Sequence, residues 1–144
     1  IQVTFQSAIY DRDQYADLLR SAQIFVYPTI AEKGEALPVA PLEAMACGLV
    51  PVCSDLPVFR DYLTDGETGL TYDYQSPTPE VKLAEKLIWL IDHPEKRSAL
   101  SQNAIQKARE FSIDQVAANY LRLMRESRKS NASKAQRRKH ANRS

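Results

Sequence analysis

The chain has 144 residues, 44% of them hydrophobic and 26% charged, with a formal net charge of +1. That length suits one domain with a real core and leaves too little chain for two independent ones. Apolar stretches such as residues 22–27 and 87–91 fall far short of the roughly 20 residues that cross a bilayer.

The near-neutral total averages two unlike parts. From Arg128 to Ser144 there are seven basic residues and no acid, whereas residues 1–127 hold twelve basic and eighteen acidic residues, a formal −6. Cys47 and Cys53 are too few for a disulfide scaffold and make no metal-ligand pattern with His93 or His140. They read as reduced, buried thiols of a cytoplasmic protein. The chain opens on Ile1 inside an apparent strand, with no signal or transit pattern after it, so a piece of a longer protein is the expectation.

In chain order, Ile1, Val3 and Phe5 alternate with polar residues as in a short strand. Residues 13–22 carry a helical stripe of Tyr15, Leu18, Leu19 and Ala22. Residues 24–27 form a compact β-branched and aromatic run that ends at Pro28, a buried strand. Leu42, Met45 and Ala46 have helical spacing, and Gly48 stands where a helix end wants a left-handed residue. Residues 49–53 read as another buried strand, with Pro51 arguing for its edge or start. Residues 65–69 are turn chemistry, followed by a strand over 70–74.

Three helices close the chain: about 80–92, stopped by His93-Pro94, about 95–111, and one starting at Ile113. Ser112 with Gln115 forms a capping box there, and Phe111 with Val116 a hydrophobic staple. Strand and helix alternating over residues 1–74 predict βαβ units, hence an α/β fold with a Rossmann-like parallel sheet flanked by helices. Such sheets take ligands at the carboxyl ends of their strands. The segment from Ser127 has nothing to bury and reads as a disordered tail or a frayed helix extension.

The stretch that carries chemistry runs from Glu32 to Gly48, after one buried strand and into a helix. Pro38 and Pro41 fix the helix start near Pro38, because proline is tolerated only around the first turn. Free amides and the helix dipole make that end suited to a phosphate, with Leu37, Val39 and Ala40 as the main donors. Glu35 lies just ahead of the helix and Glu43 about a turn and a half inside it. As acceptor-only carboxylates they suit sugar or ribose hydroxyls; as plain charges, Glu35 favours the dipole and Glu43 edges a solvated face. Physics alone leaves both readings open.

The spacing Glu35-x7-Glu43, then Ala44-Met45-Ala46-Cys47-Gly48 and the run Val50-Pro51-Val52, resembles the donor-binding region of family 4 glycosyltransferases with the GT-B fold. The likeness extends from Val3-Thr4-Phe5 through residues 18–28 to Ser54-Asp55, the 65–70 turn and the final helices, about residues 1–126. It implies an N-terminally truncated C-terminal donor domain over 1–126, with a basic tail at 127–144. The resemblance implies that Glu35, the catalytic candidate, approaches the donor sugar hydroxyls, and that Glu43 holds the ribose. Ala36, Leu37, Pro38 and Val39 match the segment whose amides face sugar and diphosphate. Pro38 stands where glycine is usual, Ser7 likewise, Pro57-Val58 replaces a glycine pair, and Asp61 stands for the usual glutamate. The family's diphosphate-neutralising arginine and lysine have no match in this chain.

The implied activity is retaining transfer of a hexose or similar sugar from a nucleotide-sugar donor to a hydroxyl acceptor, without a metal or other cofactor. The implied partners are the nucleotide sugar and an acceptor-binding N-terminal domain of the same parent, and the fragment alone is expected to be inactive. The basic tail suits an anionic membrane surface, placing the cytoplasmic protein at the membrane periphery. It lacks aromatic residues for base stacking, which disfavours nucleic acid. The alternatives are a non-catalytic α/β nucleotide-binding module, or an interaction domain that uses its tail on lipid or nucleic acid. Lys33 reads as a solvated loop lysine, His93 as a helix C-terminal charge, and Thr29 as a turn residue or pocket wall.

Overall fold

The computed structural model describes residues 3–31 and 37–141, with side chains through residue 128. Its elements are α1 (Arg12–Arg20), β1 (Ile24–Tyr27), α2 (Val39–Ala46), β2 (Val50–Ser54), β3 (Leu70–Tyr72), α3 (Pro79–Asp92), α4 (Pro94–Arg109) and α5 (Ile113–Ala141). The chain divides into two compact units, Ile1–Arg109 and Glu110–Ser144.

In the first unit the strands form one parallel sheet in the order β1-β2-β3. The sheet has helices on both faces. On one, Val50, Val52, Leu70 and Tyr72 pack with Leu90 of α3 and Leu100 of α4. On the other, Leu49 packs with Leu19 of α1 and Ala44 of α2, with Tyr15 and Phe25 against them. Burying each large apolar side chain contributes about 1.5–3 kcal/mol, so both layers hold the sheet.

Local chemistry sets the element ends. The Asp11 carboxylate accepts from Gln14 N at 2.9 Å and caps α1. After α2, Leu49 N donates to Ala44 O and Gly48 N to Met45 O, both at 3.0 Å. This Schellman closure needs a left-handed residue, and Gly48 has φ +90. At the end of α3, His93 N donates to Trp89 O at 3.1 Å, and the imidazole stacks on the Trp89 ring at 4.9 Å. His93 is thus a helix-ending residue, as its sequence position predicts.

Several strand expectations change. β1 is only half-buried, with Val26 exposed, where its apolar run predicts a buried strand, because among the described residues it has a hydrogen-bonded neighbour on one side only. Val3 and Phe5 are exposed and belong to no strand, and no described residue pairs with them. Alternation alone makes no strand, since the ladder needs a neighbour. Of edge or start, Pro51 takes the start: it is the second residue of the central strand, paired with Phe25. Successive residues of a parallel strand bond to opposite neighbours. Val50 N donates to Gln23 O on the β1 side and Asp55 N to Tyr72 O on the β3 side, so Pro51 faces β3. The β2–β3 ladder begins only at Val52↔Leu70, so the missing N–H interrupts nothing. Gly69 fits against this point, where an added Cβ would meet Pro51 O at 2.6 Å. The third strand ends at Tyr72, two residues short of the expected 74.

In the second unit, Ser112 Oγ accepts from Gln115 N at 3.3 Å, the half of the expected capping box that starts α5. Helix continues through the basic segment to Ala141, and residues 126 and 127 both lie within it.

Candidate functional site

The β1-α2-β2 unit places the start of α2 at the carboxyl ends of the parallel strands, the side where such sheets bind ligands. Pro38 is the N-cap residue, extended at φ −63 and ψ 116, and among the described residues no side chain caps α2. Pro38 and Pro41 have no N–H, so Val39 and Ala40 are the two positions of the cap and first turn that carry an N–H without an intrahelical acceptor. No acid lies in that turn, so nothing in α2 itself offsets the positive end of its dipole.

The position of this terminus is fixed from below. Tyr62 is fully buried, and its hydroxyl donates to Pro38 O at 2.9 Å. Its ring meets Phe59 edge-on, and Phe59 meets Tyr27 at the end of β1 in the same way. Thr68 Oγ1 donates to Tyr62 O at 3.0 Å and accepts from Thr64 N at 2.8 Å, anchoring the Tyr62 backbone.

Leu37, Pro38 and Val39 therefore lie together at the helix entrance, with Leu37 and Val39 exposed and Pro38 buried. Glu43 is exposed one turn further on. The Tyr15 phenol of α1 lies close enough to interact with its carboxylate. Burial first, then the Glu43 charge and hydrogen bond, then Cys47, hold the Tyr15 phenol above its usual 10.0. Glu35 and Ala36, the remaining sequence candidates, fall outside the described residues, as does Lys33. Thr29 Oγ1 accepts from Ala31 N at 3.2 Å, which fits its turn reading.

A cleft of about 530 Å³ opens on the same carboxyl edge, lined by Ala31, Asp55, Leu56, Arg60, Asp73 and Tyr74 among others. Leu37, Pro38, Val39 and Glu43 do not line it. Arg60 and Asp55 form a largely exposed ion pair across it at 3.7 Å, and Gln75 Nε2 donates to Tyr74 Oη at 3.0 Å. None of these residues was singled out as a site residue from sequence. The available signal was position: Asp55 directly follows β2, and Asp73 directly follows β3.

A parallel sheet with helices on both faces defines a partial Rossmann-like domain. Residues 1–107 match the family described as glycosyl transferases group 1, and the chain belongs to that family. It is 33% identical over 113 residues to an N,N'-diacetylbacillosaminyl-diphospho-undecaprenol alpha-1,3-N-acetylgalactosaminyltransferase from Campylobacter jejuni, covering 78% of this chain and 28% of the relative. The chain thus spans under a third of the length of the curated relatives it matches. Among solved structures, a sucrose-phosphate synthase from Thermosynechococcus elongatus superposes with TM-score 0.72 at 23% identity, over 88% of this chain and 30% of that one. Anabaena HepE in complex with UDP superposes at 0.59 with 20% identity, over 76% of this chain and 29% of that one. HepE has also been solved with UDP-glucose.

Proposed function

We propose that this chain supplies most of the nucleotide-sugar donor site of a retaining glycosyltransferase that transfers a sugar to a hydroxyl acceptor. The observation that carries this reading is the uncapped, acid-free start of α2 with the Glu43 carboxylate a turn beyond it. A diphosphate is held by the Val39 and Ala40 amides and the helix dipole, and Glu43 accepts from the ribose hydroxyls. Glu35 orients the donor sugar. In this reading the leaving diphosphate is stabilised by fixed amides and dipole, without a metal.

Support also comes from the relatives. HepE has been solved with UDP and with UDP-glucose, and the Campylobacter relative is named as a sugar transferase acting on a diphospho-undecaprenol acceptor. Acceptor recognition and the rest of the charge neutralisation belong to parts of the parent protein outside these 144 residues, so the chain alone turns over no donor. Free thiols at Cys47 and Cys53 suit the cytoplasm.

Calorimetric titration of the chain with UDP-, GDP- and ADP-glucose tests the reading and identifies the base. Saturable binding of one of them supports it. Absence of binding by all three at millimolar concentration, with circular dichroism showing a folded protein, overturns it.

A further inference from the structure

We propose that Tyr15 of α1 is a positioning residue for the donor ribose: its hydroxyl donates a hydrogen bond to the Glu43 carboxylate and holds it ready for the ribose hydroxyls. The proposal rests on the donor-site reading of Glu43 and adds to it a residue from another helix. Tyr15 and Leu19, four positions apart, share one face of α1. There the half-buried Tyr15 ring packs with Leu19 against Ala44 and Leu49, together with Cys47. Glu43 immediately precedes Ala44, and Cys47 N donates to Glu43 O at 3.1 Å. Glu43 therefore stands one helical turn before Cys47 on the same side of α2, and the ring packs against the part of α2 from which the Glu43 side chain leaves. The same two residues, Glu43 and Cys47, act electrostatically on the Tyr15 phenol, after burial itself.

A phenol suits this task. It keeps its proton at neutral pH, so it orients a carboxylate without cancelling its charge. An ionised carboxylate offers about four lone-pair sites and no donor, so one bond from Tyr15 leaves the others for ribose hydroxyls. Glu43 is exposed, and among the described residues no basic side chain forms an ion pair with it. An exposed glutamate samples several rotamers and has to be ordered when a ligand binds. A hydroxyl whose ring is already packed removes part of that cost before the ligand arrives.

Calorimetric titration with whichever of UDP-, GDP- and ADP-glucose the chain binds tests the role in Tyr15→Phe, Glu43→Ala and the double variant. Tyr15→Phe keeps the ring packing, with circular dichroism as the check, and its affinity is expected to fall about threefold to tenfold. The double variant is expected to bind no more weakly than Glu43→Ala, since the hydroxyl then has nothing to position. Parent affinity in Tyr15→Phe overturns the proposal. A Tyr15→Phe loss that persists in full in the Glu43→Ala background also overturns it, because the effect then runs through the packing of α1. The contact is read without ligand by NMR titration of ring-labelled tyrosine. Glu43→Gln is expected to lower the Tyr15 midpoint toward 10.0, and an unchanged midpoint overturns the contact. Absence of binding by all three sugars, or parent affinity in Glu43→Ala, overturns the donor-site reading and the ribose role with it, while the NMR titration separately decides whether Tyr15 meets Glu43.

Discussion

The Tyr62 hydroxyl donates to the carbonyl of Pro38 across 2.9 Å, joining a fully buried side chain to the residue that starts α2. The two are 24 positions apart in the chain, and the bond fixes where the helix entrance stands relative to the strand ends. Tyr62→Phe keeps the ring packing and removes the bond, at an expected cost of about 1 kcal/mol. Tyr62→Ala adds a cavity and costs about 3–5 kcal/mol. Urea unfolding midpoints measure both, and an unchanged midpoint in Tyr62→Phe would mean that the hydrogen bond contributes nothing separate from the ring.

Gly69 and Gly66 lie in one turn but serve different ends. A Cβ at Gly69 would meet Leu63 Cδ1 at 2.5 Å and Pro51 O at 2.6 Å. The Pro51 carbonyl belongs to the central strand and has little freedom to yield. Gly66 has open space around its Cβ position but φ +75. Gly69→Ala is expected to destabilise by about 3 kcal/mol or more, against about 1–2 kcal/mol for Gly66→Ala. Thermal unfolding of the two variants gives the order, and a larger loss for Gly66→Ala would contradict the close approach of the turn to Pro51.

Cys53 is completely buried, and burial pushes its thiol from 9.0 up to about 12. The folded state therefore keeps its proton at pH values where the unfolded state has lost it. Stability from this group is fully present below pH 9.0 and is lost as pH rises toward about 12, amounting to about 4 kcal/mol across that window. Tyr15, raised above 10.0, adds a loss in the same direction beginning near that pH. Unfolding free energy between neutral and strongly alkaline pH is expected to fall less steeply in Cys53→Ala than in the parent. Thiol labelling at neutral pH modifies the half-buried Cys47 before Cys53.

Those features that depend on local spacing were legible in the sequence. Residues 24–27 as β1, the start of α2 at Pro38, the left-handed Gly48 and the capping Ser112 all follow from period, proline placement or a fixed offset. Features that depend on a distant partner were not. Pro51 suits an edge or a start, and its own chemistry does not choose between them, because it says nothing of where β3 begins. Val3 and Phe5 alternate correctly yet have no described neighbour to pair with. Tyr15 was visible as a member of an apolar stripe, while the Glu43 carboxylate close to its phenol lies on another helix. Arg60 and Asp73 share the cleft only because the 3-10 turn at Pro57–Phe59 and the end of β3 reach the same edge.

The donor-site reading rests on Glu43 and Glu35 binding the nucleotide sugar while Lys33 stays outside the contact. Calorimetric titration of the preferred nucleotide sugar into the parent and into Glu43→Ala, Glu35→Ala and Lys33→Ala tests this most directly. A carboxylate that accepts hydroxyl hydrogen bonds is worth about tenfold or more in affinity. The expected result is a loss of that size in both glutamate variants and almost none in Lys33→Ala. Equal affinity in all three variants would contradict the assignment of the start of α2 as the donor site.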